Sequence, residues 1–165
     1  SVIMIAASYG AKVIAIDINE LNLQKARSFG AAYTIDATRE EVVDKLFEIT
    51  DGGVDLSMDA LGSRETSTNS INCLTKKGKH IQVGILGGKN DITLSTADLI
   101  AKEIEIIGSH GMPLADYSTI FDLISRKKID LSLLIDRTVK LEDVHQELIN
   151  MDTYSNTGMV IVDQF

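Results

Sequence analysis

What this sequence lacks narrows its identity before any motif is considered. It has one cysteine, Cys73, in 165 residues, so no internal disulfide can form and no multi-thiolate zinc site can be built. Positive charge is scarce: 16 lysines and arginines stand against 24 acids, a formal net charge of −8. Nucleic-acid binding needs a basic face to displace counterions from phosphates, and this balance argues against it. The longest apolar run, Val2 to Ala7, is far too short to cross a membrane. An initiator methionine and a charged leader are also missing, and Ser1 opens directly onto that apolar run. The expectation is therefore a piece of a longer chain rather than a signal peptide. Against these absences, hydrophobic residues make up 44% of the sequence, enough for a sizeable core at the length of one ordinary domain. An acidic protein of a reducing compartment, the cytoplasm, is expected.

The remaining pattern alternates strands and helices. Val2 to Tyr9, closed by Gly10, reads as the end of a helix. Lys12 to Asp17 is a β-branched strand ending in an acid, and Asn19 is placed to cap a helix running to Ser28, closed by Gly30. A strand at Ala32 to Ile35 precedes a helix from Arg39 to Thr50, where Val42, Leu46 and Ile49 recur at helical spacing. Further strands are predicted at Val54 to Met58, His80 to Ile85 and Ile104 to Ile107, with helices at Glu65 to Leu74 and Thr96 to Lys102. Such alternation with short connections predicts an α/β fold, a doubly wound, mostly parallel sheet of Rossmann-like type. Beyond Gly108 the texture changes to a helix at Asp116 to Lys127, a strand at Arg137 to Lys140, a helix at Glu142 to Met151 and a last strand at Met159 to Val162. The expected division is a partial nucleotide-binding domain at 1–108 and a C-terminal segment at 109–165.

Asp17 stands at the carboxyl end of a strand, where a doubly wound sheet places an acid to accept hydrogen bonds from the adenosine ribose. A carboxylate there repels a 2′-phosphate, favouring NAD over NADP. The same residue could instead serve the next helix N-terminus, whose dipole welcomes an acid. The glycine-rich phosphate loop, G-x-G-x-x-G, does not occur in the sequence. It should lie roughly 20 residues before the ribose acid, which here runs off the start of the chain. The first strand and its loop are thus expected to precede Ser1.

Three more strand ends carry glycines: Asp59 to Ser63, Val83 to Gly88, and Gly108 to Gly111. Ligands of open α/β sheets bind outside the carboxyl ends of strands, and glycine permits close backbone approach. Each alone is an ordinary turn; together with Asp17 they favour a nucleotide site. His80, His110 and His145 have no metal-ligand spacing with one another or with Cys73, and only His110 stands at a ligand-facing strand end. Cys73 reads as core, and Lys76, Lys77 and Lys79 read as a solvated turn.

Taken in order, KVIAIDINELNLQKARSFGA, GGVDLSMDALGS, LTKKGKHIQVGI and IEIIGSHG resemble the coenzyme-binding half of the medium-chain, zinc-type alcohol dehydrogenases. The tail LISRKKIDLSLLIDRTVKLEDVHQELINM resembles that family as well. The resemblance implies NAD(P)-dependent oxidation of a small alcohol or reduction of a carbonyl, with a catalytic zinc as Lewis acid in a domain absent here. It implies that Asp17 binds the adenosine ribose, Ile18 lies beside the adenine, and Ala60, Leu61 and Gly62 pass near the nicotinamide-side ribose. Gly84 and Ile85, with Ser109 and His110, would border the carboxamide; no catalytic or metal-binding residue is carried over.

The departures are the missing loop and first strand, Asn22 where a basic residue is common, and Gly158-Met159 where some relatives carry a pyrophosphate-binding arginine. Without the central strand of the order 3-2-1-4-5-6, two half-sheets with facing unpaired edges are expected, the gap closing by register change, domain swapping or association with another copy. The tail's apolar side is expected to be exposed, and Ile104 to Ile107 resembles the family's dimer-forming edge. Alternatives are a zinc-free quinone oxidoreductase-like reductase and a non-enzymatic nucleotide-binding module; a methyltransferase-like sheet fits the DALGS and GSHG segments poorly.

Overall fold

The structure is a computed structural model that describes residues 1–85, 91–151 and 157–165. In chain order its elements are α1 (Val2–Ser8), β1 (Ile14–Asp17), α2 (Glu20–Ser28), β2 (Tyr33–Asp36), α3 (Val42–Thr50), β3 (Val54–Asp59), α4 (Arg64–Asn72) and β4 (Leu74–Gln82). There follow α5 (Thr96–Lys102), β5 (Glu105–Gly108), α6 (Tyr117–Ser125), β6 (Ile135–Lys140), α7 (Val144–Met151) and β7 (Met159–Gln164). Residues 1–38 with 114–165 form one compact unit and residues 39–113 another. Among the described residues no helix is long and apolar enough to cross a membrane.

In the first unit β1 pairs with β2 in parallel, from Ile14 opposite Tyr33 to Asp17 opposite Asp36. Asn19 caps α2 by accepting a hydrogen bond from the Leu21 amide at 2.9 Å, so the chain turns from strand into helix within two residues. The helix buries Leu23 and Ala26, and Ile35 of β2 is fully buried. Met4 of α1 packs with Leu123 of α6 and Ile129, supported by Ile5, Phe29 and Ile124. The tail therefore buries part of its apolar side against α1. Phe121, Leu148 and Ile149 remain exposed, so the expectation of an exposed tail holds only in part. A separate parallel pair, β6 with β7, completes this unit's strands.

The second unit holds a parallel three-stranded sheet in the order β3-β4-β5. All strand pairings in both units are parallel and successive strands are joined through helices, the pattern of a doubly wound fold. The architecture is Rossmann-like α/β, as the sequence pattern predicts. Ser63 opens α4 through a capping box with Thr66. Val42 and Leu46 of α3 and Ile71 of α4 are buried, and Leu74 at the start of β4 is fully buried.

Of the element boundaries that differ from the sequence pattern, those of two elements stand out. Helix α3 starts at Val42, not Arg39, and β4 starts at Leu74, not His80, and stops at Gln82 before reaching Ile85. The reason for the second is a bulge: Val54 pairs with Leu74 but Leu56 pairs with Lys79, so β4 absorbs three extra residues over that span. Lys77 takes a left-handed conformation there (φ 62°). The lysine cluster thus stands on a bulged strand, not in a turn, with Lys76 3.3 Å from Glu103 and Lys79 3.0 Å from Glu105. These exposed pairs contribute little stability.

Because Leu74 has no exposed surface and anchors β4 ahead of the bulge, Leu74→Ala is expected to cost about 2–5 kcal/mol through lost burial and the cavity left behind. Urea unfolding followed by far-ultraviolet circular dichroism measures it; an unchanged midpoint contradicts the role.

Candidate functional site

The residues singled out from the sequence fall in both units: Asp17 and Ile18 in one, Ala60, Leu61, Gly62, Gly84, Ile85, Ser109 and His110 in the other. Residues 86–88 of the predicted strand end lie outside the described residues.

Asp17 ends β1, half-buried. Its Oδ1 accepts from the Asn19 amide at 2.9 Å and its Oδ2 from Asn22 Nδ2 at 3.1 Å. The helix cap is supplied by Asn19, so Asp17 is not consumed in capping α2. An ionised carboxylate offers about four acceptor positions, and these contacts use two of them. Beside it lies an open groove of about 210 Å³, with Ile3, Ile16 and Phe29 among its apolar walls and Asn22 and Lys25 among its polar ones. Lys25 is tethered at 3.1 Å to Asp136, which also accepts from Thr157 at 2.8 Å. Ile18 is 72% exposed next to the carboxylate. An apolar groove with a carboxylate that retains acceptor capacity matches an adenosine: a flat apolar base attached to a diol that donates hydrogen bonds. The residues present fit the nucleotide half of a dinucleotide coenzyme.

In the second unit a different acid organises the strand ends. Asp59, the last residue of β3, is 3% exposed. Its Oδ1 accepts from the amides of Leu61 (3.0 Å) and Gly62 (3.2 Å). Its Oδ2 accepts from Ser67 Oγ (2.6 Å), Gln82 Nε2 (2.7 Å) and again the Gly62 amide (3.1 Å). Burial is the largest single influence on this carboxyl and pushes its pKa up. The hydrogen bonds from Ser67, Gln82, Gly62 and Leu61 together outweigh it, leaving the group below its usual range. The Asp59 carbonyl accepts from the amides of Val83 and Gly84, both at 2.9 Å, tying the end of β4 to the end of β3.

The two turns meet backbone to backbone. A Cβ on Gly84 would lie 2.2 Å from the Gly62 nitrogen, and one on Gly62 would lie 2.5 Å from the Ile85 carbonyl oxygen. Gly62 also has φ +82°, a conformation side chains rarely adopt. In front of this junction Leu61 is 68% and Ile85 83% exposed, and Ala60 is exposed as well. Ser109 joins through its amide, which donates to the Gln82 carbonyl at 2.9 Å. His110 is exposed beyond it.

Sequence reasoning missed the polar chain behind the turns. His80 is fully buried; its Nδ1 lies 3.2 Å from Ser57 Oγ and 3.1 Å from Ser70 Oγ, and its Nε2 lies 3.0 Å from Gln82 Oε1. The signal was available: His80 and Gln82 are two apart on a strand, hence on one face, and Asp59 precedes Gly62 by a turn's length. Cys73 is core, as its apolar setting suggests, and burial pushes its thiol up to about 11. Among the described residues no group of three or more His, Cys, Asp or Glu could hold a metal ion.

Comparison with known proteins bears on the family and the fold. The sequence profile of the zinc-binding dehydrogenases matches residues 1–126. A sorbitol dehydrogenase of Halalkalibacterium halodurans is 30% identical over 134 residues, which cover 79% of this chain and 39% of that protein. An NAD-dependent alcohol dehydrogenase of Sulfurisphaera tokodaii is 28% identical over 154 residues, 93% of this chain and 43% of its own length. The crystal structure of benzyl alcohol dehydrogenase from Acinetobacter calcoaceticus superposes with a TM-score of 0.87 at 24% identity, covering 98% of this chain and 46% of that one. The chain belongs to the zinc-binding dehydrogenase family, the zinc-type medium-chain alcohol dehydrogenases. It spans under half the length of these curated relatives.

Two outcomes are expected from the strand-end geometry. Gly84→Ala forces the two turns apart and is expected to destabilise the protein by more than about 1 kcal/mol, measured by thermal melting. The folded Asp59 carboxyl titrates below its unfolded value of about 3.9, so its stabilising contribution is complete above that pH and is lost as pH falls through the lowered folded value. Asp59→Asn should therefore be less stable at neutral pH and show a shallower further loss below pH of about 4. Acid titrations of both proteins by circular dichroism check the sign.

Proposed function

We propose that this chain binds and orients NAD for an oxidoreductase that interconverts small alcohols and carbonyl compounds. The observation that carries the proposal is the Asp17 carboxylate, unspent on helix capping and set beside an apolar groove. Family membership supports the coenzyme class, and the NAD-dependent enzyme among the relatives supports NAD in particular.

In this reading residues 1–108 are the coenzyme-binding part and 109–165 a segment that packs on a catalytic domain. The coenzyme, when bound, supplies hydride transfer; a family zinc would supply Lewis-acid polarisation of the substrate oxygen, and no group among the described residues could hold it. The work of this chain is binding and orientation. Asp17 accepts the ribose hydroxyls, with Asn22 holding its second oxygen in place. Ile18 flanks the adenine, and the negative charge of Asp17 disfavours a 2′-phosphate. Leu61 and Gly62, with Gly84 and Ile85, face the nicotinamide end together with Ser109 and His110, through backbone groups and apolar surface. The exposed edge strand β5, with Ile106 and Ile107 partly uncovered, supports association with a second copy. A cytoplasmic location belongs to the same reading.

Calorimetric titration with adenosine 5′-monophosphate and adenosine 2′,5′-bisphosphate tests the ribose assignment. The monophosphate is expected to bind at least about tenfold more tightly, and Asp17→Asn to remove most of that preference. Equal affinity for the two ligands in the wild-type chain, or absence of binding by either, would refute it.

A further inference from the structure

We propose that Asp59 is a positioning residue for the nicotinamide end of the coenzyme, acting through Gln82 and fixing buried His80 as the Nε2–H tautomer. The coenzyme part of this proposal rests on the function argued above; the tautomer part does not.

The hydrogen bonds of this network have fixed directions. An ionised carboxylate and a carbonyl oxygen accept and cannot donate. Gln82 Nε2 directs one hydrogen to Asp59 Oδ2 at 2.7 Å and the other to the Gly84 carbonyl at 2.7 Å. Flipping the Gln82 amide would set its oxygen against two acceptors, so the amide has one orientation. Its Oε1 consequently faces His80, and the 3.0 Å contact requires His80 Nε2 to be the donor. His80 Nδ1 is left to accept a hydroxyl from Ser57 or Ser70. The charge on Asp59 thus sets the polarity of a chain that runs Ser57 or Ser70, His80, Gln82, Asp59. Among the described residues every buried side-chain nitrogen and oxygen has a partner, so the chain has no slack.

What this chain holds is the backbone of the two turns. Asp59 fixes the Leu61 and Gly62 amides, and Gln82 fixes the Gly84 carbonyl. Leu61 and Ile85 stand on the outward side of the same turns, at the position assigned to the nicotinamide half. Asp17, which serves the adenosine half, takes no part in the network. Loosening the chain should therefore weaken recognition of the nicotinamide end and spare the adenosine end. A residue that acted only on overall stability would not separate the two.

The experiment has two arms on the 165-residue chain. Long-range proton–nitrogen NMR of the imidazoles at neutral pH is expected to show His80 protonated at Nε2 and bare at Nδ1. The opposite tautomer overturns the proposal. In the second arm NADH and adenosine 5′-monophosphate are titrated into wild type, Gln82→Met and Ser67→Ala, each first checked for folding by circular dichroism. Ser67→Ala carries the test if Gln82→Met does not fold. The expected result is NADH binding about tenfold weaker with monophosphate binding unchanged, the scale of one lost hydrogen bond. Equal weakening of both ligands, or of neither, overturns the positioning role. If wild type binds neither ligand, the coenzyme function falls and the positioning role with it, while the tautomer still decides whether Asp59 directs the chain.

Discussion

Much of the second unit depends on a charge kept out of water. A carboxylate that loses its hydration is tolerable only when its lone pairs are taken by donors of good geometry. Asp59 meets that condition with neutral groups from three places: two backbone amides of its own turn, Ser67 on α4 and Gln82 on β4. The same contacts that satisfy the charge bind the end of β3 to the following helix and to the neighbouring strand. The close approach of Gly62 and Gly84 is possible because neither has a side chain, and it is held because Asp59 draws both turns inward. The polar interior and the exposed apolar rim of Leu61 and Ile85 are two faces of one arrangement.

Asp17 and Asp59 begin from the same local rule and end in different roles. Each closes a strand and accepts the amide two residues on, Asn19 at 2.9 Å and Leu61 at 3.0 Å. Such Asx turns are a property of the side chain's length and recur wherever the backbone bends after an acid. Asp36 does the same with Thr38, and Asp130 with Ser132. What separates the two strand-end acids is their surroundings. Asp17 lies beside an open groove, and Asn19 relieves it of capping. Asp59 is enclosed, and its acceptor positions are filled from within the protein. One keeps capacity for a ligand; the other gives its capacity to the fold.

The order of strands and helices was legible because periodicity and caps are written locally. Asn19, Ser63 and Ser95 cap helices by hydrogen bonds that span two or three residues. Asn19 is recognisable as a cap from the sequence alone, and the sequence pattern sets the starts of α4 and α5 to within one residue. The start of β4 was not legible: the lysines after Leu74 resemble a polar turn, and only pairing with β3 around the bulge makes them strand. Likewise the sequence pattern shows His80 only as a residue at a strand's start. Its burial and its contacts with Ser57, Ser70 and Gln82 come from a sheet neighbour and a helix that the linear order does not bring together.

The lone cysteine, the acidic balance and the missing glycine loop show how far composition reaches. By itself the sequence determined the α/β alternation, the acid at the end of the first described strand and the resemblance to a dehydrogenase coenzyme half. All of these rest on interactions between residues a few positions apart, or on motifs preserved in order. Only the tertiary structure decided which strand-end acid keeps open acceptor positions and which is enclosed in the core. That choice depends on burial and on donors delivered from residues 8 and 23 positions further along the chain, Ser67 and Gln82 to Asp59. Desolvation is a property of enclosure, and enclosure exists only once the chain has folded.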